Sequence, residues 1–151
     1  MDKSFEDTLS EWESELVDVC AEFAEGRAEK VFLYGAFESV VVFDVFYQVA
    51  GKTLRKDELG KADGDMEFQH GANREIIGDL INIGIEALEE LELICRECEM
   101  QMPTEIKLAY DAASGEVKGE YSYRPVTGVA GAPSPEEVFE RWFVSVKEKV
   151  A

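Results

Sequence analysis

Between Glu105 and Arg124 the chain alternates apolar and polar residues on both sides of a turn-rich interruption. Ile106, Leu108 and Tyr110 alternate with Glu105 and Lys107, and Val117, Tyr121 and Tyr123 alternate with Lys118, Glu120, Ser122 and Arg124. Successive side chains of a strand point to opposite faces, so this pattern demands two strands with one buried and one wetted face. Asp111 to Gly115 supplies the hairpin turn. A half-wetted sheet is antiparallel and takes its helices on a single side, which predicts a two-layer α+β domain.

The remaining elements follow from periodicity. Phe5, Leu9, Trp12, Leu16, Val19, Cys20 and Phe23 recur at spacings of three and four, predicting a helix from Ser4 to about Ala24 that Gly26 stops. Its opposite face holds Glu11, Glu13, Glu15, Asp18 and Glu22. Two strands follow, Lys30 to Phe37 and Ser39 to Val49, with Gly35 marking a bend and Val41, Phe43, Val45, Tyr47 and Val49 on one face. Thr53 to Gly71 reads as a long connection with one short strand. A second helix is expected from about Asn73 to Glu99, burying Ile77, Leu80, Ile81, Leu88, Leu91, Ile94, Cys95 and Cys98. Gly78 and Gly84 weaken it by roughly 1 kcal/mol each relative to Ala, unless close packing uses the missing side chain. Ser134-Pro135-Glu136-Glu137 offers an N-cap, a proline at the first helical position and a capping-box Glu for a last helix burying Val138, Phe139, Trp142, Phe143 and Val146. The expected order is α-β-β-(β)-α-β-β-α, with four to five antiparallel strands and helices packed on one face, in a single domain spanning residues 1–151.

Charge narrows the function. Asp and Glu number 33 against 15 Lys and Arg, a net charge of −18 on 151 residues. Nine Phe, five Tyr and two Trp argue for a folded chain whose acidity decorates its surface. Such a surface disfavours nucleic acid, anionic lipid and phosphate-rich ligands, and favours a cationic partner met through long-range attraction. A solvated exterior tuned for solubility accounts for acidity as well. The acidic start of the chain lacks a basic n-region and an apolar h-region, and the apolar stretch Val40 to Val49 is about half the ~20 residues a membrane helix requires. With three cysteines in no framework spacing, a reducing, cytoplasmic location is expected.

Chemistry leaves few traces. His70 is the lone histidine, in the expected loop before the second helix, and a hydrolase built on it is the enzymatic alternative. Cys95 and Cys98 form a C-x-x-C inside a helical pattern, whereas a redox motif opens a helix after a strand and a zinc site needs further ligands, so both are expected to be buried thiols. Asp63-Gly64-Asp65-Met66-Glu67 begins like a calcium loop, but Phe68 stands where its glycine belongs and Arg74 where its bidentate Glu belongs. No phosphate-cradling glycine motif occurs, and no cofactor or metal is called for. The expectation is a protein without catalytic activity.

Val31-Phe32-Leu33-Tyr34, an apolar second strand, a long helix, Pro103-Thr104-Glu105-Ile106-Lys107-Leu108, Gly115, Tyr121-Ser122-Tyr123 and a closing helix with Trp142 together resemble the YezG-like family of bacterial immunity proteins. The likeness runs over about 120 residues from Val31 onward, and departs from the family at Met102-Pro103-Thr104, where the family tends to have Trp-Thr. The resemblance implies a cytoplasmic antitoxin, monomeric when free, that binds the nuclease domain of a secreted or contact-delivered toxin. Under that reading Glu86, Glu89 and Glu90 of the second helix, extended by Glu75 and Asp79, are the expected contact residues. The sheet face with Lys107, Lys118, Glu120 and Arg124 is a second candidate surface. A small acidic adaptor or chaperone for an exported protein is the other alternative, and homodimerisation through an apolar helix face would favour it.

Overall fold

Ser4 begins the first helix as its sequence requires: the hydroxyl oxygen accepts from the Asp7 N–H at 3.1 Å, satisfying an otherwise orphaned donor. The computed structural model describes residues 4–61, 74–124, 131 and 133–150. Helix α1 (Phe5–Phe23) is followed by strands β1 (Lys30–Phe37), β2 (Val41–Val49) and β3 (Lys52–Arg55) and a 3-10 turn (Lys56–Lys61). Helix α2 (Arg74–Glu97), strands β4 (Glu105–Asp111) and β5 (Glu116–Ser122), and helix α3 (Pro135–Val150) complete the order. The strands form one antiparallel sheet in the order β3-β2-β1-β4-β5. The α+β class, the antiparallel sheet and the element order are those the sequence predicts.

The layering differs. Helices α1 and α2 cover the face made by Val31, Leu33, Phe43, Val45, Tyr47, Val49, Ile106 and Leu108. Helix α3 lies on the opposite face, where Phe139 and Phe143 pack on Phe32, Tyr34, Ala36 and Phe46. The domain therefore has three layers and not two. The cause is β1, whose residues Val31 to Ala36 are buried on both sides, so its second face needs its own cover. Full burial of an aromatic side chain such as Phe139 is worth roughly 1.5–3 kcal/mol, and Phe46 meets three α3 rings edge-on, those of Phe139, Trp142 and Phe143. Arg55 clamps the third layer to the sheet by a two-pronged ion pair with Glu140, Nη2 to Oε2 at 2.7 Å, while stacking over the Phe143 ring.

Gly35 keeps its place in the ladder, paired with Phe43 and Ile106, and a Cβ there would come within 2.8 Å of a Leu88 methyl. It serves a close approach of α2 to the sheet and not a bend. Gly84 does the same from the helix side, with the Phe43 ring occupying the space of its absent side chain. Cys95 is buried, but Cys98 is exposed, contrary to the expectation for both. Helix α2 ends at Glu97 and Glu99 adopts φ 56°, so Cys98 has already left the helical period.

Candidate functional site

Helices α1 and α2 run antiparallel across the sheet, fastened by the Trp12 indole N–H, which donates to the Ala87 carbonyl at 2.8 Å. Their outward faces are chemically one-sided. Helix α1 has seven carboxylates and no lysine or arginine, and α2 has seven carboxylates with its two arginines, Arg74 and Arg96, in its first and last turns. No helix of the described residues is long and apolar enough to cross a membrane.

Between the two helices lies a groove made of two adjoining depressions that share Val19 and Ile83. One is lined by Val19, Glu22, Phe23, Ile76, Asp79, Leu80 and Ile83, the other by Trp12, Glu15, Leu16, Val19, Ile83, Glu86, Ala87 and Glu90. The floor is apolar and Ile83 is 41% exposed, a large apolar side chain open to water in a ring of acids. The local pattern explains the shape. Glu15-x-x-x-Val19-x-x-Glu22 on α1 and Asp79-x-x-x-Ile83-x-x-Glu86 on α2 are the same arrangement of acid, β-branched residue and acid at i, i+4 and i+7. Facing each other in an antiparallel pair, they set a β-branched centre between two carboxylate pairs, Glu22 with Asp79 at one end and Glu15 with Glu86 at the other.

Some carboxylates outside the groove are neutralised locally. Asp44 pairs with Lys56 at 2.7 Å, Glu92 with Arg96 at 2.6 Å, and Glu140 with Arg55. Glu15, Glu22, Asp79, Glu86 and Glu90 have no lysine or arginine partner among the described residues. The groove thus joins an uncompensated negative field to a desolvatable floor, two features of a protein-docking surface.

Of the five expected contact residues, Asp79, Glu86 and Glu90 border the groove, whereas Glu75 and Glu89, though exposed on the same helix, line neither depression. Glu13 is not on the outer face of α1: it is half-buried and accepts a hydrogen bond from the Tyr121 hydroxyl of β5. Burial, then this bond, pushes the Tyr121 hydroxyl well above its usual range. Sequence reasoning missed Glu15, Glu22, Val19 and Ile83 as one site. The available signal was Ile83, an apolar residue in the acidic stripe of α2.

The second candidate surface is reduced by α3, which covers β1 and β2 on that side. Lys107 is half-buried with its Nζ 5.7 Å from the Trp142 ring centre, and only Lys118, Glu120 and Arg124 of that set are exposed. Lys107 stands opposite Glu120 in the ladder, so the remaining strip is close to neutral. Among the described residues no group of three or more His, Cys, Asp or Glu is placed to hold a metal. His70 and the calcium-like run Asp63 to Glu67 lie outside the described residues. Comparison of the chain with protein-family models and with curated proteins finds no match.

Proposed function

We propose that the protein is an immunity-type inhibitor of the cytoplasm, without catalysis of its own, that captures the basic nuclease domain of a secreted or contact-delivered bacterial toxin on its α1/α2 layer. The supporting observation is the groove, whose five carboxylates have no cationic partner among the described residues and surround the exposed Ile83. A nuclease must present lysines and arginines to attract phosphate, and the same cations meet the carboxylate banks of this layer. Long-range attraction speeds the encounter and disfavours anionic competitors, while the apolar floor slows dissociation. The resemblance to YezG-like immunity proteins points the same way.

The test is the neighbouring reading frame and its product. A large protein ending in a short basic nuclease module is expected, with a one-to-one complex that abolishes cleavage and an association rate that falls steeply as salt screens beyond ~10 Å. A module that binds at a rate indifferent to ionic strength, or that remains active in the complex, would count decisively against this reading.

A further inference from the structure

We infer that the α1/α2 groove receives a single α-helix of the partner, carrying Lys or Arg at positions i and i+7 around an apolar residue at i+3 or i+4. This rests on the cationic-partner reading above and adds the shape of the occupant. The two carboxylate pairs, Glu22 with Asp79 and Glu15 with Glu86, bracket Val19 and Ile83. Glu22 follows Glu15, and Glu86 follows Asp79, by seven positions, which is about 10 Å along a helix at 1.5 Å per residue. A third helix laid along the groove repeats that spacing between its own i and i+7 positions. Each cation then sits between two carboxylates that otherwise repel across the groove, and the apolar residue between them covers Val19 and Ile83.

A strand does not fit the same demands. At about 3.3 Å per residue, about 10 Å spans about three residues, an odd number, so two cations at that spacing leave on opposite faces and only one reaches the groove. On a helix the positions i, i+3, i+4 and i+7 share one face, so both cations and the apolar residue between them meet the groove together. Packing between α1 and α2 is already closed below by the Trp12 bond to Ala87 and by Leu80, only 4% exposed, so the occupant rests on the helix pair without entering it.

The probe is a stapled, alanine-rich peptide of about 14 residues with Arg at i and i+7 and Leu at i+3 and i+4, compared with a peptide of the same residues reordered so that the arginines fall opposite the leucines. Fluorescence anisotropy is expected to show the patterned peptide binding at least about tenfold more tightly, with amide shifts centred on Val19 and Ile83. Ile83→Asp adds charge of the attractive sign, so a purely electrostatic surface would bind the peptide more tightly, whereas the groove loses it by about tenfold or more. Circular dichroism checks that this variant is folded. If it is not, Glu15→Gln combined with Glu86→Gln removes one carboxylate pair and is expected to weaken the patterned peptide several-fold, while Glu89→Gln, outside the groove, leaves binding within about twofold. Equal binding of both peptides, or undiminished binding by Ile83→Asp or by the double variant, overturns the inference. A toxin module bound equally well by wild type and Ile83→Asp overturns the groove and leaves the inhibitor reading standing. Peptide binding without any toxin partner does the reverse.

Discussion

Gly84 and Gly78 occupy the same helix and are opposite cases. Gly78 is exposed with open space where a Cβ would go, whereas at Gly84 the Phe43 ring fills it. Gly78→Ala should therefore stabilise the protein by about 0.5–1 kcal/mol through helix propensity alone. Gly84→Ala should destabilise it by roughly 1–3 kcal/mol despite the same gain, because the ring or the helix must move. Urea denaturation of the two variants checks both signs. Sequence reading correctly raised the condition under which a helical glycine is useful, but which glycine met it depended on where Phe43 sat across the interface. Ile83 teaches the same lesson: one apolar residue among acids is legible, and its meaning appears only when Val19 is found opposite.

At the scale of elements, the acidic helices are strained by their own charge. Glu86 and Glu90 stand at i and i+4 on an exposed helical face, a like-charge spacing that costs about 0.2–0.5 kcal/mol. Glu90→Gln should therefore raise the unfolding free energy by about that amount while slowing association with a cationic partner, a trade measurable by denaturation and stopped flow on one variant. The third layer depends on a different contact. The Arg55 guanidinium beside Glu140 holds that carboxyl below its usual 4.5. A depressed folded value means stability that is present above 4.5 and lost as pH falls below it, and both side chains are more than a third exposed, so the loss is small, about 0.2–1 kcal/mol. Glu140→Gln should remove that part of the acid sensitivity, read as a flatter dependence of midpoint on pH below 4.5.

The helices on the two faces of the sheet differ in charge: α1 and α2 carry seven acidic residues each and two arginines between them, whereas α3 carries four acidic and three basic residues. The molecule's interior responds to pH at the opposite extreme. Burial pushes the Cys20 thiol and the Tyr34, Tyr47 and Tyr121 hydroxyls upward, helped at Tyr34 by its bond to Glu105 and at Tyr121 by its bond to Glu13. Each group stays protonated in the folded chain at a pH where the unfolded chain releases the proton. The stability they contribute is full below the ordinary values of 9.0 for the thiol and 10.0 for the hydroxyls, and is lost as pH rises above them. Thermal melts are expected to hold their midpoint up to about pH 9 and then fall steeply. A midpoint unchanged through pH 11 would remove these buried groups from the account.

By itself, the chain determined what is written in local periodicity and in caps: three helices, the β4-β5 hairpin, the Ser4 and Ser134 helix starts, and an acidic side to the first two helices. The tertiary structure alone decided on which face of the sheet each helix lies. The run from Val31 to Ala36 could have announced two buried faces, but one helix has no local record of the layer it will join, since that choice is made by burial summed over residues distant in sequence. The groove is decided the same way. Two matching patterns about sixty residues apart become a site only because the antiparallel pairing of α1 and α2 brings Val19 beside Ile83 and leaves their carboxylates facing across the gap.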